Sequence, residues 1–145
     1  MRPVRNHLVA AGIPVEGSKG EAEAGQEELN LRYAEAVLAA DHHSIAKHAI
    51  KEIAWANGRS ASFLAKWRPD RVGSATHVHL SLWQGGTPAF FDPATPHGVS
   101  ATGQAFLAGL IAHAGEITLL LAPYVNSYKR FLPGTFAPTR CVWSV

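Results

Sequence analysis

The chain has 145 residues, 47% of them hydrophobic and 17% charged, a balance typical of a one-domain globular protein with a sizeable core. A formal net charge of +2 from scattered basic residues argues against nucleic acid as a partner, and no apolar run reaches the roughly 18 residues that cross a bilayer. The single cysteine, Cys141, excludes an internal disulfide, which fits a cytoplasmic location.

Hydrophobic periodicity divides the first half of the chain into short strands and helices. Val4, Leu8 and Ala11 recur at helical spacing, and apolar residues recur every three or four positions before an Asn57-Gly58 cap. The predicted elements are a helix over 1–12, strands over 13–16 and 28–31 separated by an irregular segment over 17–25, a helix over 32–57 and a strand over 60–66.

The second half continues this mixture. The predicted elements are a strand over 75–83 with a turn at Gly85-Gly86, a loop over 88–98, a helix over 100–121 ended by Pro123, and a basic turn over 126–134 before a last strand. Runs of strands separated by two long helices indicate an α+β fold with a largely antiparallel sheet. The apolar final residues, 142–145, predict that the domain is incomplete in this chain.

The most informative pattern is the alternation His77-Val78-His79-Leu80-Ser81 in the predicted strand. Side chains alternate between the two faces of a strand, so the two imidazoles and the hydroxyl are expected on one face. Pairs of histidines at this spacing are recurring metal ligands, although a histidine can equally satisfy its hydrogen bonds within a core. The pattern suits a metal ion or a phosphate group.

Carboxylates upstream offer oxygen ligands for a hard divalent cation. Glu21 and Glu28 flank a glycine-containing segment. Spaced glutamates more often form a solvated surface, so the pair alone does not establish a metal site. Together with His77, however, they supply the mixed oxygen and nitrogen ligands that Mg²⁺ or Mn²⁺ accepts.

Contacts to anions are available at two further positions. Gly73 lies in the loop before the histidine pattern, where backbone amides can approach a carboxylate or phosphate closely. Lys129 and Arg130 precede Pro133-Gly134 and either clamp an anion or form a solvated basic turn. Metal ligands and fixed cations together are the groups that phosphoryl transfer requires.

Three segments, in this order, resemble the glutamine synthetase family over nearly the whole chain. They are Val15-Glu16-Gly17-Ser18-Lys19-Gly20-Glu21 with Gly25-Gln26-Glu27-Glu28, the run 73–82, and Asn126-Ser127-Tyr128-Lys129-Arg130 with Pro133-Gly134 and Ala137-Pro138. The resemblance implies the curved, largely antiparallel sheet of that family's catalytic domain. It also implies an ATP-dependent ligase that phosphorylates the γ-carboxylate of L-glutamate and then forms an amide with ammonia or an organic amine.

The resemblance assigns a role to each predicted site residue. Glu21 and Glu28 would hold one divalent ion, Mg²⁺ or Mn²⁺, and His77 a second ion nearer to the ATP phosphates. Gly73 would approach the glutamate substrate, and Arg130 would bind substrate and act catalytically by stabilising the acyl phosphate. The residues that would line the nucleotide site are Glu16, His79 and Ser81.

Two departures from the family pattern favour its branch of glutamate–amine ligases, including those that use polyamines. Ammonia-using members carry a glutamate between the Pro-Gly and Ala-Pro pairs, where this chain has Phe136. An aromatic ring cannot take a proton from ammonium or balance its charge. The stretch Ser18-Lys19-Gly20 also replaces histidines of the ammonia-using enzymes.

The family's amino-terminal domain and the strands that follow Trp143 are absent from this sequence, which indicates a partial catalytic domain over 1–145. Family active sites form between the subunits of a homo-oligomeric ring, so we expect this polypeptide alone to be inactive. Alternatives remain open at this point. They are a parent enzyme that makes glutamine from ammonia, a catalytically inactive partner or regulatory subunit, and a non-functional truncated homologue.

Overall fold

The computed structural model describes residues 1–137, which fall into two compact units, Met1–Phe63 and the residues from Leu64 onward. The elements of the first unit are α1 (Arg2–Ala10), β1 (Val15–Gly20), β2 (Glu27–Leu31) and α2 (Ala36–Ala56). Those of the second are β3 (Trp83–Gln84), β4 (Thr87–Pro88), α3 (Ala101–Ala112), α4 (Ala114–Leu121) and α5 (Val125–Tyr128). Helices with small antiparallel sheets confirm the predicted α+β class.

In the first unit, β1 and β2 form an antiparallel hairpin whose ladder runs from the pair Val15 and Leu31 to the pair Gly20 and Glu27. The pairing confirms the strand predicted over 28–31. The prediction of an irregular segment over 17–25 is wrong for its first four residues, because they gain ladder partners in β2. Gly25 has a φ of +78°, a left-handed conformation that glycine adopts at little cost in the connecting turn.

The core of the first unit lies between the hairpin and the two helices. α1 confirms the helix predicted over 1–12, and it buries Val4 and Leu8. The buried cluster consists of Val4, Leu8, Ile13 and Ala46. Full burial of a leucine side chain contributes about 2 kcal/mol to stability. Leu8, which has no exposed surface, is therefore a main hydrophobic contact holding the hairpin against the helices.

α2 begins later than predicted because Glu35 caps it. The Glu35 carboxylate accepts hydrogen bonds from the N–H groups of Val37 and Leu38, at 3.0 and 3.4 Å. The predicted carboxyl-terminal cap is confirmed, since Gly58 has a φ of +66°. Apolar spacing alone does not identify the buried face of α2. The α2 residues that contact the core are Ala46, Ala49, Ile50 and Ile53, whereas Val37 and Ile45 are exposed.

In the second unit the predicted turn at Gly85-Gly86 is confirmed. It joins β3 to β4, and both glycines have positive φ angles, +55° and +83°. A two-residue hairpin loop with positive φ at both positions matches the right-handed twist of the flanking strands.

Two predicted strands do not form within the residues that the structure describes. The ranges 60–66 and 75–82 contain no helix or strand, and Val78 and Leu80 are 70% and 60% exposed. A strand requires a neighbouring strand to receive its hydrogen bonds. Alternating residue types predict side-chain faces but do not supply that neighbour, so the strand predictions are wrong here.

The helix predicted over 100–121 is divided into α3 and α4, which meet at a 76° bend. His113 lies at the break with a φ of −103° and a ψ of 11°, outside helical geometry. Its Nδ1 atom lies 2.7 Å from the Glu116 carboxylate in the first turn of α4. The predicted end of the helical region before Pro123 is confirmed, since α4 ends at Leu121.

Within residues 1–137, no single helix has the length and apolar character needed to cross a membrane. α3 and α4 meet the length and composition criteria only when they are taken together as a bent pair.

Ser100 caps α3 and also ties it to the preceding loop. Its Oγ accepts a hydrogen bond from Gly103 N–H at 3.1 Å and donates one to Ala89 O at 2.6 Å. Gly103 is buried, and a Cβ atom there would lie 2.9 Å from Val99 Cγ1. The start of α3 is therefore fixed by both hydrogen bonding and close packing.

Replacement of Ser100 by alanine removes both bonds and is expected to lower the free energy of unfolding by about 1–2 kcal/mol. Denaturant unfolding of the chain followed by circular dichroism measures this loss. The matched control is Ser44→Ala, because Ser44 Oγ only donates to Ala40 O within α2 and is not a cap. A Ser100→Ala loss no larger than that of Ser44→Ala contradicts the proposed role of the cap.

α5 and the turn that follows it agree with the basic turn predicted over 126–134, except that its first residues form a short helix. The last predicted strand and Cys141 lie outside the described residues.

Candidate functional site

The predicted metal ligands of the first unit, Glu21 and Glu28, are brought together at the end of the β1–β2 hairpin. Lys19 lies between them, with its Nζ atom 3.2 Å from Glu21 Oε1 and 3.6 Å from Glu28 Oε2. Lys19 and Glu28 are direct partners across the ladder. Directly opposed residues project from the same face of a hairpin, so the pairing explains why these side chains meet.

The Lys19 ammonium group pairs with both carboxylates, and each of the three groups affects its neighbours. The pKa of Glu21 is held below its usual value, first by hydrogen bonding with the Glu28 side chain and then by the Lys19 ammonium group. Lys19 has a raised pKa, chiefly because it hydrogen bonds to Glu21 and lies near both negative charges. The two carboxylates are therefore close enough to act together on one cation.

The donor set of this hairpin suits a hard divalent cation. Two carboxylates already share a single positive group, the Lys19 ammonium. Mg²⁺ is commonly bound through one or two carboxylates together with water and substrate phosphates. Within the described residues, no group of three or more His, Cys, Asp or Glu side chains is arranged to hold a metal ion. The hairpin thus supplies two oxygen ligands, and further ligands must come from other groups.

Glu16, predicted to lie at the nucleotide site, occupies an irregularity of the same hairpin. The register shifts between Val15 and Gly17, so Glu16 is the extra residue of a β-bulge and is exposed. Bulges change the direction of a side chain and are common beside active sites. The position is compatible with ligand binding, and its predicted role stays a prediction.

In the second unit the structure brings Gly73 and Arg130 into contact. Gly73 is buried, and a Cβ atom at this position would overlap with Arg130 Cδ and with the backbone oxygen of Ala65. Only glycine therefore allows the loop and the arginine side chain to pack this closely. These are the two residues predicted to contact substrate.

Arg130 also holds the segment that contains Phe136. Its Nη1 and Nη2 atoms donate hydrogen bonds to Thr135 O at 3.2 Å and to Phe136 O at 3.1 Å. The Nε atom is buried and has no hydrogen-bond partner among the described residues. Phe136 is 80% exposed and has a φ of +56°, an unusual conformation for a residue with a side chain. The guanidinium group thus fixes the carbonyl groups of two successive peptides, one before and one after the Cα atom of Phe136.

Lys66 and Asn126 connect these two motifs, and neither was among the predicted site residues. The Asn126 side-chain amide accepts a hydrogen bond from Lys66 N–H at 3.0 Å and donates one to Lys66 O at 2.7 Å. Lys66 is only 4% exposed, and its ammonium group donates to Arg71 O. A lysine in an otherwise apolar stretch, residues 63–67, was the available signal. Lys66 and Asn126 hold the loop before Gly73 against the start of α5.

The predicted histidine positions lie in an exposed segment. His77, His79 and Ser81 are all exposed, and none belongs to a helix or strand. Ser81 Oγ accepts a hydrogen bond from Trp83 Nε1 at 3.0 Å, at the start of the β3–β4 hairpin. The strand prediction placed these three side chains on one face. Because residues 77–81 form no strand, ladder pairing does not support that shared face.

A shallow groove of about 330 Å³ lies along α2, apart from the predicted site residues. Its lining side chains are His43, Ser44, Lys47, His48 and Lys51. The Nζ atoms of Lys47 and Lys51 lie 5.5 and 6.0 Å from the centre of the Phe63 ring. Contact with the aromatic face accounts for how these two lysines are held.

The family model described as the glutamine synthetase catalytic domain matches residues 1–145 of the sequence. The chain belongs to the glutamine synthetase family. This finding confirms the resemblance carried by the three sequence segments, and it accounts for the order in which the hairpin, the Gly73 loop and the Arg130 turn occur.

Relatives within the family differ in the acceptor that their names give. γ-Glutamylethanolamide synthetase GlnA4 of Streptomyces coelicolor is 43% identical and covers 99% of this chain and 30% of its own length. Glutamine synthetase of Mycolicibacterium smegmatis is 42% identical, with 96% and 32% covered. Glutamate–isopropylamine ligase of a Pseudomonas species is 40% identical, with 99% and 31% covered.

A solved structure of GmaS in complex with ADP has the same fold, with a TM-score of 0.82 and 36% identity. The match covers 90% of this chain and 30% of that one. The chain therefore spans about a third of the length of the relatives that it matches.

Proposed function

We propose that this chain is part of an ATP-dependent ligase that forms a γ-glutamyl amide through γ-glutamyl phosphate. The observation that carries this proposal is that Glu21 and Glu28 lie close enough to share one cation, the Lys19 ammonium group. The chain that holds them matches the glutamine synthetase family over its whole length. In this reaction the γ-carboxylate of glutamate attacks the terminal phosphorus of ATP and ADP leaves. An amine then attacks the acyl carbon, the nitrogen loses a proton to solvent, and inorganic phosphate leaves as the amide forms.

The roles of the described residues follow the family pattern. Glu21 and Glu28 would hold one divalent cation and His77 a second, and such cations would supply positive charge beside the phosphate groups. The nucleotide-binding residues are Glu16, His79 and Ser81. Homo-oligomeric ring assembly and a cytoplasmic location belong to the same proposal.

Gly73 and Arg130 act on glutamate in this proposal. Their close packing supports it, because Gly73 lets the loop approach the Arg130 side chain closely, and a guanidinium group is suited to binding a carboxylate. Arg130 is the catalytic residue, since a cation already held by hydrogen bonds needs little reorganisation as charge develops on the acyl phosphate.

The acceptor in this proposal is an organic amine. Phe136 occupies the position at which ammonia-using members carry glutamate, and its exposed ring offers apolar contact but no base. The named activities of the ethanolamide synthetase and the isopropylamine ligase support an organic acceptor. Glutamine formation from ammonia is the competing function, supported by the glutamine synthetase of similar identity.

The test uses the full-length protein with ATP, glutamate and Mg²⁺, and it compares ammonium, ethanolamine, isopropylamine and putrescine by phosphate release and amide detection. We expect kcat/KM for at least one organic amine to exceed that for ammonium by about tenfold or more. Phe136→Glu is expected to narrow this ratio. Ammonium as the best acceptor contradicts the amine proposal, and no release of phosphate with any acceptor contradicts the ligase proposal.

A further inference from the structure

Lys19 is a cation of the chain itself at the position where the proposed function places a divalent ion. We propose that the Lys19 ammonium group occupies the Glu21–Glu28 pair in the absence of metal, competes with the divalent ion for it, and so lowers the affinity of the site. This inference rests on the proposed function, because it requires that the pair binds a divalent cation. It assigns to Lys19 the role of a residue that sets metal affinity.

The geometry of the hairpin supports competition. Lys19 faces Glu28 across the ladder, and Glu21 follows directly after the end of β1, two residues beyond Lys19. The ammonium group lies within ion-pair distance of both carboxylates, at 3.2 and 3.6 Å. A divalent ion that bound both carboxylates would need the space and the oxygen lone pairs that the ammonium group uses.

The exposure of the three side chains indicates that the lysine can leave. The Lys19 side chain is 61% exposed, whereas each of its carboxylate partners is 32% exposed. An exposed ion pair contributes little net free energy, since water solvates the released ammonium group. Lys66, in contrast, is buried and fixed by its bond to Arg71 O. Lys19 therefore suits an exchangeable cation and Lys66 a permanent structural one.

The positive charge of Lys19 affects both the structure of the hairpin without metal and the affinity of the pair for metal. The lysine keeps the two carboxylates from repelling each other, so the hairpin does not depend on metal for its local structure. Removal of the positive charge leaves the carboxylates without that competitor and also removes repulsion between the ammonium group and a bound ion. Metal affinity is thus expected to rise when the charge is removed and to change little when it is kept.

The experiment measures Mn²⁺ binding to the 145-residue chain by electron paramagnetic resonance of the free ion, with no nucleotide or turnover required. Lys19→Met is expected to tighten Mn²⁺ binding by about five- to tenfold. Lys19→Arg keeps the charge and is expected to bind no more tightly than the unaltered chain. Lys51→Met removes the same charge from α2 and serves as the matched control, with unchanged binding expected.

Glu28→Gln separates failure of this inference from failure of the proposed metal site. If Glu28→Gln weakens Mn²⁺ binding but Lys19→Met leaves it unchanged or weakens it, the lysine does not compete and the metal site still stands. If Glu28→Gln has no effect, the ion does not bind at the hairpin, and both proposals are overturned. Circular dichroism of each variant checks that the hairpin variants remain folded.

Discussion

Gly73→Ala is expected to lower the free energy of unfolding by about 1–3 kcal/mol, because the added methyl group has no space. It would overlap with the Arg130 side chain and with the backbone oxygen of Ala65. A side chain can move aside, but a backbone oxygen can move only with its segment. Ser74 N–H also donates to Ala65 O at 2.9 Å, so displacement of that oxygen disturbs the loop on both sides of Gly73.

Denaturant unfolding of the chain measures this loss, and Gly109→Ala is the matched control. Gly109 lies inside α3, and a Cβ atom added there would meet no atom within 4 Å, so alanine is expected to stabilise the helix by about 0.5–1 kcal/mol. On the proposed function, Gly73→Ala also lowers turnover of the full-length protein, because it displaces Arg130. Equal effects of the two substitutions would show that Gly73 is not closely packed.

Arg130→Lys is expected to reduce kcat/KM of the full-length protein by about 100- to 1,000-fold, the range typical for loss of one fixed donor to a developing oxyanion. Lysine retains the charge, but its single ammonium group cannot bond to Thr135 O and Phe136 O while it faces a substrate carboxylate. The segment that carries Phe136 loses its anchor at the same time.

The neighbouring cation provides the control for this prediction. Lys129→Gln removes a charge from the same turn, and kcat/KM is expected to stay within about threefold of its original value, since surface charges contribute little. Steady-state kinetics with varied glutamate then separate binding from the chemical step. Loss confined to KM in Arg130→Lys indicates a binding role alone, and activity equal to that of Lys129→Gln removes Arg130 from the site.

Local sequence signals predicted those elements whose hydrogen bonds are made nearby in the chain. Val4 and Leu8 identified α1, and Asn57-Gly58 and Gly85-Gly86 identified a helix cap and a turn. Each of these features depends on residues that are only a few positions apart in the chain. The carboxylate pair was a candidate from residue type and family resemblance, and the hairpin that brings Glu21 and Glu28 together was not predicted.

Features that depend on distant partners were beyond those signals. The alternation at His77 and His79 predicted a strand, yet ladder pairing requires a neighbour that local pattern does not specify. The contact of Gly73 with Arg130 likewise joins distant parts of the chain, and each residue alone has an ordinary alternative as a turn or a solvated cation. Family resemblance supplied that pairing where residue spacing could not.

The double hydrogen bond between Lys66 and Asn126 joins residues that are 60 positions apart. Closing a loop of this length costs conformational entropy. The pairing therefore requires that the intervening chain bring Asn126 back to Lys66. A short synthetic peptide that contains the Gly73 loop and Lys66 therefore lacks Asn126, the hydrogen-bond partner of Lys66. Such a peptide cannot hold the loop in the shape it has in the whole chain, whatever its local sequence preference.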